Sequence, residues 1–434
     1  MSIGVTTALL FIVFGVLLFL GVPISVSIIV SSIVTVMSTL SWDQITFITM
    51  QKMNSGVESF SLLAIPLFIL AGNIMNNGGI AKRLIAFAQL FVGRIPGNLA
   101  QANILGNMLF GALSGSSVAA ASAMGGCISP SEKEQGYDPA FSAAANIASA
   151  PTGLLIPPTS AFIVYSTVAG GVSISTLFMA GYVPGILMGI GCMAVAFVMA
   201  KRAGMKATGR DKSKSIGKIV WDAIPSLLLI LIVIGGIVSG IFTATEGAGV
   251  AVLYCLILSV IYRNLTLKGF MKILLDSAKT SGIILFLISA SSAMSFVMAY
   301  AGIPAAISNA LMAVSDNKYV IFLPMNIILM VVGMFMDITP AILIFTPIFL
   351  PIAQSLGMSD IQFGVMLIFN MCLGNITPPV GSVLFVGCGI GDVSIEKVTP
   401  KLIPYFAVLF ALLLLVTYVP ALSLGIPSLM GLIK

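Results

Sequence analysis

The segment Gly153 to Ile174, GLLIPPTSAFIVYSTVAGGVSI, returns 221 residues later as Gly374 to Ile395, GNITPPVGSVLFVGCGIGDVSI. Gly153 falls on Gly374, Pro157-Pro158 on Pro378-Pro379, Gly170 on Gly391 and Val172-Ser173-Ile174 on Val393-Ser394-Ile395. Pro130 and Gly136 fall on Pro351 and Gly357 at the same offset, so the chain reads as two structural copies. In each copy an apolar helix is broken at Pro-Pro, because neither proline donates an N–H and each pushes its predecessor out of the α region. Carbonyls freed inside a bilayer are tolerated only when buried in protein or lining a wet cavity. Paired breaks at matching positions of two halves point to the binding site of a secondary transporter.

Of 434 residues, 59% are hydrophobic and only 8% charged, against about 25% charged in soluble domains. The chain is therefore an integral membrane protein, with room for roughly ten spans of about 20 residues plus shorter re-entrant pieces. The alternation of apolar and polar residues that marks a barrel is absent, which leaves an all-α fold. The first apolar run lacks a basic leader and a cleavage site, and is expected to stay as a helix. The net charge of +6 is a matter of topology. Lys201, Arg202, Lys206, Arg210, Lys212, Lys214 and Lys218 crowd one linker, and Arg263, Lys268, Lys272 and Lys279 follow two helices later, as cytoplasmic loops require. Five scattered cysteines read as packing residues, and histidine is absent.

Residues 1–60 supply helices outside the duplication, with 42–59 suited to lie along the interface. The first copy occupies 61–180 and the second 281–398; between them, 181–280 hold further scaffold helices and the basic linker 201–218, and 399–434 form a C-terminal helix. Gly79-Ile80 matches Gly302-Ile303 at an offset of 223, extending the duplication upstream. Each copy contains a hairpin whose arms are short for a full crossing, 95–130 around Ser114-Gly115-Ser116-Ser117 and 319–352 around Met336-Asp337-Ile338-Thr339-Pro340. Lys82, Arg83, Arg94 and Lys133 surround the first hairpin, whereas the second has Lys318 beside Asp316. The two should open to opposite faces, which makes the repeats inverted.

Asp337 is the only charged side chain between Lys318 and Asp360, and an acid in so apolar a window implies function. It is also placed to cap the helix that follows, with Pro340 early in that helix. Carbonyls at Gly153, Ile156 and Gly374, with hydroxyls at Ser114, Thr339 and Thr377, are the oxygens a sodium ion takes. Half-helix N-termini after Ser117, Pro158, Pro340 and Pro379 are suited to a substrate carboxylate. Glu246 and Asp222 read as interface residues. A different class is an intramembrane aspartyl protease. Tyr137-Asp138, Gly389-Ile390-Gly391-Asp392 and Pro420-Ala421-Leu422 follow the order of the presenilin-like signatures. Asp138, however, follows Glu132, Lys133 and Glu134 in what reads as a hydrated turn, and two aspartates in loops cannot share a proton.

The Ser-Gly-Ser-Ser knot, Gly136-Tyr137-Asp138-Pro139, Gly153 with Ile156-Pro157-Pro158, Gly333-Met334-Phe335-Met336-Asp337 and Ile376-Thr377-Pro378-Pro379-Val380-Gly381 together resemble the large membrane subunit of tripartite ATP-independent periplasmic (TRAP) transporters. The resemblance covers nearly the whole chain. One departure is that Ala119, Ala120 and Ala121 stand where the family often has an aspartate. The resemblance implies a sodium-driven elevator-type symporter with inverted repeats in a bacterial inner membrane, not an enzyme. A small four-helix membrane subunit and a periplasmic substrate-binding protein would be its partners. It implies one sodium at Ser114, Ser116, Gly153, Ile156 and Pro158, and a second at Asp337, Thr339, Gly374, Thr377 and Pro379. Between the hairpin tips, at Ser117, Ser160, Pro340 and Gly381, would lie an organic acid: a C4-dicarboxylate, a sugar acid or, as the wording of the first copy suggests, sialic acid. A stand-alone sodium/dicarboxylate elevator transporter is the other transporter reading.

Overall fold

The structure, a computed structural model, describes residues 3–37, 39–77, 80–205, 207, 215–262, 265–312, 317–378 and 380–433. Every regular element among them is helical. The chain opens with Ile3–Phe19 and Ile24–Val36, parted by Gly21 in the left-handed region and by Pro23. Trp42–Ser55 starts on a capping box, with the Ser41 N–H donating to Gln44 Oε1 at 3.1 Å. It presents Trp42, Phe47 and Met50 outward, then bends by 64° into Phe60–Asn76. At an offset of 223 the residue numbers of that bent pair fall on the single helix Leu267–Tyr300.

Both hairpins form. The arms of the first are Asn98–Ser114 and Ser117–Glu134, entered through Gly97 (φ 68°) and turned at Gly115 (φ 61°). A glycine is required at that tip because L side chains clash in the left-handed region. The arms of the second are Lys318–Phe335 and Ile338–Ser355, turned through extended Met336 and Asp337. Both broken helices form as well. Pro139–Ser149 runs through Thr152–Leu155, stops at Ile156 and resumes as Ser160–Val168 with a bend of 49°. Asp360–Gly374 stops before the second Pro-Pro and resumes as Ser382–Gly391.

The two copies point in opposite directions, and the C-terminal helix Ile395–Tyr418 measures it. Near its start Lys401 pairs with Asp138 at 3.3 Å, beside the base of the first hairpin. At its end the Tyr418 hydroxyl donates to the Tyr319 carbonyl at 2.8 Å, at the base of the second. Seventeen helical residues separate these anchors, roughly 25 Å at 1.5 Å per residue. Gly97 packs on Ala200, so Lys201 and Arg202 share the first hairpin's end with exposed Lys133. Lys206, Arg210, Lys212, Lys214, Arg263 and Asp316 lie outside the described residues.

The broken helices form the core. Phe363, Phe369 and Tyr165 are fully buried there, and the Tyr165 hydroxyl donates to the Asp360 carbonyl, joining the copies. Ile174–Arg202 packs on the first hairpin, on both broken helices and on the C-terminal helices. Ile216–Val238 and Ala244–Ile261 pack instead on Ala64–Asn77 and Ile80–Val92. Glu246 closes a capping box with Thr243. Among the described residues seven helices are long and apolar enough to cross a membrane, or up to nine if each bent pair is one span, against the ten expected. The shortfall has a physical cause: Ile3–Phe19, Ile24–Val36, Asp360–Gly374 and Ser382–Gly391 are cut short by turns and breaks, while both arms of the second hairpin pass the test without crossing alone. Of the free cysteines, Cys127 is half-buried and the other four are buried.

In a cysteine-free background, Lys133→Cys and Lys318→Cys should react with an impermeant maleimide from opposite membrane faces, Lys133→Cys from the cytoplasmic side. Labelling of both from one side would remove the inversion.

Candidate functional site

The two hairpin tips meet at one cavity of about 280 Å³. Ser114, Ser116, Ser117, Pro158 and Ser160 line it from the first copy, Asp337 and Thr339 from the second. Seven of the expected site residues are thus brought together from three separate segments, 114–117, 158–160 and 337–339. Each segment enters by a helix N-terminus. Ser116 caps Ser117–Glu134 by accepting from the Ala119 N–H at 3.3 Å, and Thr159 caps Ser160–Val168 through the Ala161 N–H at 3.2 Å. Asp337 occupies the N-cap position of Ile338–Ser355. Three N-termini therefore surround one space, and their unpaired N–H groups and dipoles favour an anion. Hydroxyls of Ser114, Ser116, Ser160 and Thr339 add short-range donors and acceptors.

Asp337 departs from expectation in one respect. It stands at the cap but its side chain makes no capping hydrogen bond, and it is exposed to the cavity. Its carboxyl oxygens therefore remain available to a cation.

Each tip is held against its broken helix by backbone contact between glycines. A Cβ on Gly153 would stand 2.2 Å from Gly111 Cα, and one on Gly374 would stand 2.4 Å from Gly333 Cα. In the second copy the Gly381 N–H also donates to the Met334 carbonyl at 3.1 Å, three residues before Asp337. Ile156 is buried against Met108 and Ala112 of the first hairpin. Gly153, Ile156, Gly374, Thr377, Pro340 and Gly381 thus stand behind the tips and outside the cavity lining. The Thr377 hydroxyl donates to the Leu373 carbonyl at 2.6 Å, and Pro340 is buried in the first turn of its helix. Pro379 lies outside the described residues.

Several lining residues went unread in the sequence. Gly72, Asn73 and Thr280 form the wall opposite the tips, on Ala64–Asn77 and Leu267–Tyr300. A Cβ on Gly72 would meet the Ser114 carbonyl at 2.9 Å, so this glycine lets the wall touch the first tip. Asn73 donates to Ser277 at 2.9 Å, tying the two wall helices together. An amide inside the apolar run 62–74 was the available signal, since polar groups at membrane depth are costly.

The protease reading does not survive the geometry. Asp138 accepts from the Ala140 N–H at 3.1 Å and pairs with Lys401, while Asp392 ends Ser382–Gly391 in the left-handed region. Both carboxylates cap or flank helix ends. Glu132, read as part of a hydrated turn, is instead buried at 2% exposure. Helix Ser117–Glu134 continues through it, and the turn starts only at Gln135.

Two inverted hairpins, two broken helices and one polar cavity between them define a membrane transporter rather than an enzyme. The family profile described as "Tripartite ATP-independent periplasmic transporter, DctM component" matches residues 11–422, and the chain belongs to that family. It is 51% identical over 416 residues to the Salmonella typhimurium protein YgiK, covering 96% of each chain. It is 36% identical to the C4-dicarboxylate TRAP transporter large permease protein DctM of Rhodobacter capsulatus, over 97% of this chain and 99% of that one. Identity to the sialic acid TRAP transporter large permease protein SiaM of Vibrio cholerae is 35%, over 95% and 96% respectively. Among solved structures, the Alcanivorax borkumensis YdaH transporter shares the fold with a TM-score of 0.60 at 13% identity, covering 91% of this chain and 90% of that one.

Gly153→Ala and Gly374→Ala should each force hairpin and broken helix apart, costing about 1–3 kcal/mol of packing and lowering uptake by about tenfold or more. Gly126→Ala, where a Cβ meets nothing within 4 Å, should leave uptake in the same proteoliposome assay unchanged.

Proposed function

We propose that this chain imports an organic acid by sodium-coupled symport. The observation that carries the reading is the single cavity where three helix N-termini meet an uncapped aspartate. One sodium is held by Ser114, Ser116 and the carbonyls of the Gly153–Pro158 corner. A second is held by Asp337 and Thr339, with Gly374, Thr377 and Pro379 behind them. Cations at these two positions neutralise the tips, and the N-termini then accept the substrate carboxylate at Ser117 and Ser160 rather than at Pro340, which has no N–H, or Gly381, whose N–H is given to the Met334 carbonyl. Sodium thus completes the anion site, which is the coupling.

The moving body in this proposal comprises both hairpins, both broken helices and the helices packed on them, Ile174–Arg202 and Ile395–Tyr418. Trp42–Ser55, Ala64–Asn77, Ile216–Val238, Ala244–Ile261 and Leu267–Tyr300 stay with the membrane. The cavity lies at their seam, with Asn73 and Thr280 on the static side and the tips on the other. Sliding along that seam carries the site from one face to the other, an elevator movement. A small four-helix membrane subunit and a periplasmic binding protein complete the system. The family and the near-complete coverage of large permease relatives support that arrangement.

For the substrate, the serine, threonine and asparagine lining favours a polyhydroxylated acid, and sialic acid is the leading candidate. A C4-dicarboxylate is the second reading, supported by the equal similarity to the dicarboxylate permease. Uptake of each labelled acid by the reconstituted complex, with and without its binding protein and an inward sodium gradient, tests both. Uptake that ignores the sodium gradient overturns the coupling, and uptake that ignores the binding protein favours a stand-alone carrier.

Asp337→Asn should reduce apparent sodium affinity by at least about tenfold, the equivalent of ~1.4 kcal/mol, while the protein still assembles. Sodium dependence of uptake at saturating substrate measures it.

A further inference from the structure

The base of the first hairpin holds a buried carboxyl that transport as described above leaves unused. Glu132 lies at the outer end of a re-entrant arm, outside the spanning helices, with Lys133 and Glu134 exposed beside it. Its side chain borders a cavity of about 20 Å³, room for one water molecule. Asn103, Tyr137 and Ser142 line the same space, and Gly387 and Gly391 close it from the second copy. Glu132 Oε1, Asn103 Nδ2 and Ser142 Oγ all lack a hydrogen-bond partner.

The charged and titratable groups nearby do not compensate a carboxylate. Lys133 borders the cavity on the same helix but is exposed and makes no ion pair with Glu132. Among the described residues the one ion pair is Lys401 with Asp138. Tyr137 donates to Asn98 at 3.3 Å, and Tyr405, from the C-terminal helix, is a buried phenol. Lys82, from Ile80–Val92, acts on Cys127. Asp392, at the end of Ser382–Gly391, adds only like charge. A buried charge without a partner is strongly disfavoured, whereas a neutral carboxyl both donates and accepts.

We propose that Glu132 is a proton-binding site, its neutral carboxyl accepting from the unpaired Asn103 amide across the enclosed space. Burial pushes the carboxyl up to about 7, while the Ser142 hydroxyl, short of a well-aligned hydrogen bond, pulls the other way. The site lies at a tight joint between copies. A Cβ on Gly387 would stand 2.2 Å from Ile147, and one on Gly391 would stand 3.0 Å from Ala143. Ionisation places an uncompensated charge in that joint, and the first hairpin's outer arm must then loosen to admit water. Proton occupancy is thereby linked to how firmly the first hairpin, the first broken helix and the second broken helix hold together.

The sign is fixed by the raised carboxyl. The folded chain keeps a proton that the unfolded chain gives up near 4.5, so stability falls as pH rises from 4.5 to about 7 and is level above. Infrared titration of purified protein between about pH 5 and about pH 9 should show a protonated-carboxyl band that vanishes near 7 and is missing in Glu132→Gln. Thermal midpoints should fall across the same window in the wild type relative to Glu132→Gln. Should that variant fail to fold, Ser142→Ala should move the infrared transition to higher pH by removing the hydroxyl that holds it down. A band unchanged in Glu132→Gln, a carboxyl already ionised at about pH 5, or a transition unmoved by Ser142→Ala would each overturn the proposal.

Discussion

The whole arrangement depends on two places where backbone lies directly on backbone. Gly111 meets Gly153, and Gly333 meets Gly374, with no side chain between them. A re-entrant hairpin has no reason to stop at mid-depth unless something there satisfies it. The glycine contacts supply that stop by letting each hairpin settle into the corner of a broken helix. The break in turn is tolerated because the hairpin covers it. Each device makes the other possible, and the duplication supplies the pair twice with opposite direction.

Charge at the site follows from this packing. Bringing the tips together aligns three helix N-termini on one cavity and leaves a single carboxylate, Asp337, at its edge. The N-termini present positive dipole ends and the carboxylate an acidic oxygen pair, so groups of opposite character share one space. The wall opposite the tips has a different character. It is made by Ala64–Asn77 and Leu267–Tyr300, joined through Asn73 and Ser277, and contributes amide and hydroxyl groups without charge. No ion pair therefore joins the wall to the tips among the described residues.

Most of the fold was legible because proline and glycine stand out in apolar sequence. Pro157-Pro158 and its repeat marked both breaks, and Gly115 marked a tip. The residues that were missed share a cause. Asn73 and Thr280 carry no charge and sit in ordinary apolar helices, so only their placement opposite the tips makes them lining residues. Glu132 was misread because its neighbours Lys133 and Glu134 are solvated. One residue along a helix turns the side chain by about 100°, enough to exchange water for core.

By itself the sequence determined that this chain is helical and embedded in a membrane, that its halves are copies, and where their helices must break. Those properties are local, set by apolar run length, by missing N–H groups and by backbone sterics. Only the tertiary structure decided that Gly111 and Gly333 are the seats of the hairpins, that Asp337 faces the cavity uncapped, and that Glu132 is enclosed between the two copies. Such properties depend on which surfaces meet across hundreds of residues, and no local rule of hydrophobicity or backbone conformation encodes a meeting of that kind.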